Sequence, residues 1–177
     1  MEVNIGILKS FFESPNQGFL IRELAKKTII NHTTVRKYIL YYLKEGVLVQ
    51  KKGKPYSVFL ANQESKKYKN IKLYYNLELL RMSEIVECLE KVYEYPPIIL
   101  FGSFARAEDD KNSDVDFCII SNISKKLNLN EYEKKIGKQL SIHQFTKKQW
   151  ETAKKKNKEL VNNIVNGMTL SGQLEVA

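Results

Sequence analysis

The chain has 177 residues, 43% hydrophobic and 28% charged, the balance of a soluble folded protein with room for one ordinary domain or two small ones. No run approaches the ~18 apolar residues of a membrane span, the start Met1-Glu2-Val3-Asn4 lacks the layout of a signal peptide, and the two cysteines, Cys88 and Cys118, fall in a helical-looking and a strand-looking segment, which speaks against a disulfide framework or a zinc site. A cytoplasmic protein with no membrane partner is therefore expected; its formal charge of +9 lies mostly in residues 1–62, where 10 Lys and Arg face 4 Asp and Glu, an excess that favours polyanions such as nucleic acid.

Ile5, Leu8, Phe11 and Phe12 recur at helical spacing, and Ser14-Pro15-Asn16-Gln17-Gly18 supplies the breakers that end a first helix. A short second helix is expected over Ile21 to Lys27. Asn31-His32-Thr33-Thr34 then offers N-cap candidates for a third, whose apolar face is Val35, Ile39, Tyr42 and Leu43 and whose end is Gly46. Val47-Leu48-Val49 and Tyr56-Ser57-Val58-Phe59-Leu60 are β-prone, with the basic turn Lys51-Lys52-Gly53-Lys54-Pro55 between them.

Three helices followed by a basic hairpin form a winged helix-turn-helix, and the run FLIRELAKKTIINHTTVRKYILYYLKEGVLVQKKGKPYSVFL resembles the winged-helix DNA-binding domains of bacterial and archaeal regulators. That resemblance implies double-stranded DNA as a partner. The third helix would enter the major groove and offer His32, Thr33, Thr34, Arg36 and Lys37 to bases and phosphates, with Lys51, Lys52 and Lys54 on the wing. A role in protein docking or homodimer formation is the other reading of such a domain.

Residues 63–95 read as a helical connector, one long helix or two joined, with Leu73, Leu77, Leu80, Ile85, Val86, Leu89 and Val92 at helical intervals and a stop at Tyr95-Pro96-Pro97. Tyr68, Tyr74 and Tyr75 read first as packing residues and second as a stacking surface for single strands. Cys88 here, and Cys118 further on, read as buried small residues.

In residues 96–177, Ile98-Ile99-Leu100-Phe101 is a short apolar run typical of a buried strand, followed at once by Gly102-Ser103. Glycine admits a ligand close to the backbone, a serine hydroxyl can donate to a phosphate, and a helix from Phe104 would aim free amides at the same anion. Asp114-Val115-Asp116-Phe117-Cys118-Ile119-Ile120 is a second strand. Its two carboxylates share a face about 6–7 Å apart, while Val115, Phe117 and Ile119 occupy the buried side. Paired carboxylates repel unless a cation sits between them, and Mg²⁺ takes one or two carboxylates together with substrate phosphates.

The stretch GSFARAEDDKNSDVDF resembles the signature of the minimal nucleotidyltransferases, small members of the DNA polymerase β superfamily. By that resemblance Gly102 and Ser103 hold the triphosphate of ATP or another NTP, and Asp114 and Asp116 bind Mg²⁺ and carry the catalysis. Arg106 matches the signature arginine, as a phosphate contact or as a salt bridge within the loop. Ala107 stands where the pattern has glycine.

Active members commonly place a third carboxylate on a later strand. The candidate here, Leu140-Ser141-Ile142-His143-Gln144-Phe145, has no acid, with Ser141 at the matching position and His143 on the same face, read first as a half-buried strand histidine and second as a substitute base or ligand. Thr146 caps a following helix, Leu160, Ile164, Val165 and Met168 form one more helical face, and Lys154, Lys155, Lys156 and Lys158 read as a solvated face or an acceptor-binding patch.

The expected fold class is α+β: a winged helix-turn-helix over residues 1–62, the connector 63–95, and a small mixed-sheet nucleotidyltransferase domain over 96–177. The expected activity is Mg²⁺-dependent transfer of a nucleoside monophosphate from an NTP to an acceptor that the sequence does not name, with protein and RNA both open, coupled to a DNA-binding domain. The alternatives are a DNA-binding regulator whose nucleotide domain is weak or inactive, and an antitoxin-type transferase that modifies a partner protein.

Overall fold

Asn4 begins the first helix by accepting the Ile7 amide on its Oδ1 at 3.2 Å, and Ser14 ends it after Glu13. The computed structural model describes residues 3–53 and 56–174, which divide into two compact units, Met1–Tyr75 and Asn76–Ala177. The division falls inside the helical stretch expected between 63 and 95.

In the first unit, α1 (Ile5–Glu13), α2 (Ile21–Thr28) and α3 (His32–Lys44) precede an antiparallel hairpin of β1 (Leu48–Lys51) and β2 (Val58–Ala61). Glu23 reaches back to accept the Leu20 amide at 2.9 Å, which starts α2, and Asn31 accepts the Thr33 amide at 2.8 Å, which starts α3. Glycine at Gly46, with φ 68°, turns the chain out of α3. Phe19 and Phe59 exchange amide and carbonyl, each bond 2.9 Å, so the link between α1 and α2 is laid along the hairpin. Ile7, Leu8, Phe11, Leu24, Val35, Ile39 and Tyr42 are sealed inside, each buried apolar side chain contributing about 1.5–3 kcal/mol. The Tyr42 hydroxyl bonds both backbone groups of Asn4, and burial pushes its pKa up to about 12.

α4 (Lys66–Ser83) is followed by α5 (Ile85–Tyr93), separated by Glu84 in a left-handed conformation at φ 63°. Of the tyrosines on α4, Tyr68 is buried with its hydroxyl on the Phe11 carbonyl at 2.9 Å, and Tyr75 stacks on Phe12 at 5.2 Å. Those two are packing residues; Tyr74 is exposed.

The second unit is built on a four-stranded mixed sheet in the order β5 (Leu140–Phe145), β4 (Val115–Ile120), β3 (Ile98–Phe101), β6 (Met168–Ser171). β4 and β5 run parallel, and the other pairs are antiparallel. Both faces are covered, which is why β3 is apolar throughout. Ile98, Leu100, Val115, Phe117 and Ile119 pack with Leu80, Ile85 and Leu89 of α4 and α5. Ile99, Phe101, Cys118 and Ile120 pack with Trp150 of α8 (Lys147–Lys156) and with Val161 and Ile164 of α9 (Lys158–Val165). The remaining helices are a single turn, α6 (Gly102–Ala105), and α7 (Asn130–Ile136) between β4 and β5. The unit is a mixed α+β structure.

Three expectations are corrected. Met168 belongs to β6 and not to a helical face, because Gly167 turns the chain onto β3 where any Cβ would press on the Ile164 carbonyl at 2.9 Å, and Val165 is left exposed. Cys118 is fully buried, its thiol pushed up to about 12 by desolvation, but Cys88 is only half-buried. The helix after β3 starts at Gly102 rather than Phe104 and lasts one turn. Among the described residues no helix is long and apolar enough to cross a membrane.

Candidate functional site

Strand register assembles the site. In the β3/β4 pair Phe101 lies opposite Asp116, so the residue after Phe101 meets the Asp116 side chain. That residue is Gly102, at φ 76°, and a Cβ placed on it would collide with Asp116 Oδ2. Glycine is needed there twice over, for the left-handed backbone and for the close approach. Ser103 follows at the open end of the turn, and Asp114 is exposed immediately before β4. The structure thus brings Gly102, Ser103, Asp114 and Asp116 to one end of the sheet.

On the other side of β4 the parallel register sets Ser141 beside Asp116 and His143 beside Cys118. His143 Nε2 lies 3.2 Å from Ser141 Oγ and 3.8 Å from Asp116 Oδ1, and its ring stands edge-on to Phe101 at 5.3 Å. The Asp116 carboxyl, 27% exposed, is raised above the usual carboxylate range first by burial and then by the neighbouring Asp114; His143 and Arg106 pull it partly back. A half-buried carboxylate beside a second acid is the donor chemistry a divalent cation satisfies, and part of the Asp116 carboxyl stays open to solvent. Among the described residues no three His, Cys, Asp or Glu side chains converge into a ready-made metal cage.

Arg106 caps α6 and spends its guanidinium on the protein: Nε donates to Glu108 at 3.0 Å and an NH group to Asn163 of α9 at 3.0 Å. Ala107, in the position where the resembling pattern has glycine, takes the glycine-like φ of 56° although it carries a methyl. Non-glycine residues in that region cost about 1–2 kcal/mol.

The loop that carries Asp114 hangs on a network that the sequence reading missed. Asp109, 3% exposed, pairs with Lys138, 10% exposed, at 3.1 Å. Asn76 donates to Asp109 Oδ1 at 2.8 Å and to the Phe104 carbonyl at 2.9 Å, while Lys138 also donates to the Asp110 carbonyl and lies 5.8 Å from the Phe104 ring centre. Asp110 accepts from the Asn112 amide and the Ser113 hydroxyl, which with Lys138 hold its carboxyl below the usual range. The one clue was the acidic pair Asp109-Asp110 inside the quoted stretch; nothing marked Asn76 or Lys138. Beside Asp114 opens a cleft of about 570 Å³ between the Lys111–Asp114 loop and α7, with Asn130, Lys134 and Gln139 on its walls.

In the first unit His32, Thr33, Thr34, Arg36 and Lys37 are all exposed over the first turns of α3, while Val35 and Ile39 face inward. Lys51 and Lys52 are exposed at the end of β1. Lys54 lies outside the described residues. Lys154 is mostly covered, 2.8 Å from Glu151, whereas Lys155, Lys156 and Lys158 face solvent.

No curated protein and no solved structure matches the chain. A family model described as a nucleotidyltransferase domain matches residues 81–171, just over half of the chain and the whole of the sheet just described. The glycine-against-aspartate turn and both acids fall inside that span, and the chain belongs to the nucleotidyltransferase domain family.

Proposed function

We propose that this chain transfers a nucleoside monophosphate from an NTP, with ATP the expected donor, to a hydroxyl of an RNA or protein acceptor, and that its first unit is a winged helix that binds double-stranded DNA. The observation that carries the transferase reading is the register that sets Gly102 against Asp116 with Asp114 two residues before it. In this reading Gly102 lets the triphosphate approach the backbone, the Ser103 hydroxyl donates to a phosphate oxygen, and the Asp114 and Asp116 carboxylates hold Mg²⁺. The bound cation would neutralise charge on the attacking and leaving oxygens. The acceptor hydroxyl oxygen bonds to the α-phosphorus as its proton passes to solvent, the bond from that phosphorus to the bridging oxygen breaks, and pyrophosphate departs with its electron pair. Arg106, held by Glu108 and Asn163, serves mainly to fix the turn and adds positive potential near Asp116.

Incubation with α-labelled NTPs, a divalent cation and RNA or protein acceptors tests the reading. Label should reach an acceptor in the native chain and not in Asp114→Ala/Asp116→Ala; transfer that persists in the double variant refutes these acids as the site.

A second reading, a DNA-binding regulator that binds nucleotide without turnover, is favoured by one observation: Ser141, and no acid, lies beside Asp116 on β5. Tight nucleotide binding with no transfer across a broad acceptor panel would select it. The DNA component rests on the basic, exposed start of α3 and the basic hairpin. Modification of a partner protein would make the chain an antitoxin-type enzyme, and the protein arm of the same assay reads that outcome.

A further inference from the structure

We infer that His143 is a metal ligand, so that the ion bound with the nucleotide is held by an oxygen and nitrogen set, Asp116 with His143, and the site prefers Co²⁺ or Mn²⁺ to Mg²⁺. This rests on the transferase or nucleotide-binding reading above, adds His143 to the donors named there, and replaces its Mg²⁺ by a softer ion.

The position follows from backbone register. β5 runs parallel to β4 with Ser141 beside Asp116, so Ser141 and His143, two residues apart, present their side chains on the face that carries Asp116. Ser141 is too short and too weak a donor to replace a carboxylate. His143 is longer, and the structure shows where it goes: Nε2 turns back along the strand to within 3.8 Å of Asp116 Oδ1. A gap of that size is shorter than two metal–ligand bonds of about 2.1 Å laid end to end, so one ion can touch both atoms. The ring is oriented by its edge packing against Phe101, and an ion at Nε2 would take the place of the Ser141 Oγ contact, 3.2 Å from the same nitrogen. At 40% side-chain exposure it is open to a ligand, unlike the buried Cys118 beside it in register.

Ligand chemistry then sets the choice of ion. Mg²⁺ is a hard ion that takes oxygen and keeps its water, whereas imidazole suits the first-row transition ions, whose affinities rise from Mn²⁺ through Co²⁺. A site that replaces a third carboxylate by imidazole loses one negative charge and gains a softer donor, and both changes act against Mg²⁺.

The experiment titrates the full-length chain with Co²⁺, Mn²⁺ and Mg²⁺, each with and without a non-hydrolysable ATP analogue. Ion binding is read from the Co²⁺ visible spectrum, from Mn²⁺ paramagnetic resonance, and from competition by Mg²⁺. Wild-type chain should favour Co²⁺ over Mg²⁺ by at least about tenfold more than His143→Ala does, and His143→Asp should recover Mg²⁺ binding. Mn²⁺ should broaden the His143 imidazole signals beyond detection. Circular dichroism of each variant guards against misfolding, and His143→Gln supplies a second variant of similar bulk. If nucleotide and ions bind but the Co²⁺ to Mg²⁺ ratio is the same in the wild-type chain and in the His143 variants, His143 is no ligand, while the transferase reading stands. If no ion binds even with nucleotide present, or if Asp116→Asn binds as the wild type does, the site assignment itself is refuted along with this inference.

Discussion

Replacing Asp109 by Asn should destabilise the second unit by about 3–5 kcal/mol, although the change is isosteric and lies away from the proposed chemistry. The reason is an asymmetry of burial. Lys138 is mostly covered, and its ammonium meets the Asp109 carboxylate at 3.1 Å; beyond that contact lie the Asp110 and Ser113 carbonyls and the more exposed Asp110 carboxylate. The amide of Asn can still accept from Asn76, so the loss measures the removed charge pair rather than that hydrogen bond. At a urea dependence of about 1.5–2 kcal/mol per molar, the unfolding midpoint should fall by about 1.5–3 M. Lys138→Met removes the cation 3.1 Å from Asp109 and should also be costly. The double variant Asp109→Asn/Lys138→Met removes both members of the pair and should lose less than the sum of the singles by about 2 kcal/mol or more. Additive losses, or a midpoint shift below about 0.5 M for Asp109→Asn with unchanged slope, would refute the view that this pair fastens the loop carrying Asp114.

Gly102→Ala should abolish transfer and cost about 1–2 kcal/mol of stability, because the new methyl meets Asp116 and must adopt φ 76°; unchanged nucleotide affinity in a calorimetric titration would contradict the close approach. Asp116 has a pKa raised in the folded state, so its ionisation destabilises the fold progressively as pH rises from the unfolded pKa through the folded one. Asp116→Asn should therefore melt higher than the wild type at pH 7, on the order of 1 kcal/mol, with the gap closing as pH falls through the carboxylate range, even as it loses transfer. Arg36→Ala and Lys37→Ala should each weaken duplex DNA binding and lower its log–log salt slope by about 1, as a fluorescence-anisotropy series in salt would show. Arg106→Ala should cost about 1 kcal/mol or less, since its pair with Glu108 is half exposed; a rise in NTP dissociation constant of tenfold or more would instead mark a direct phosphate contact.

What the sequence made legible was whatever local chemistry dictates. Asn31 and Thr146 cap helices where side-chain oxygens sit before apolar repeats, β3 is recognisable because four apolar residues covered on two faces need no alternation, and the Gly102/Asp116 pairing is spelled by a fixed interval. What stayed hidden depends on long-range packing. Met168 continued a helical period that tertiary pairing with Leu100 overrode, and Ile29 and Glu84 take left-handed conformations at helix ends with no glycine to announce them. Asn76 and Lys138 meet Asp109 from 33 and 29 positions away, a juxtaposition no local window contains. The same limit shaped the reading of the third acid. In sequence, Ser141 to His143 is a strand with no carboxylate; in the fold, the register that leaves Ser141 beside Asp116 also returns the His143 ring to within 3.8 Å of that carboxylate, which is the geometry behind the proposed ligand. Loss of the acid therefore argues for a changed ion at least as strongly as for a lost reaction, and the His143→Asp variant, which restores oxygen chemistry at one position, separates the two.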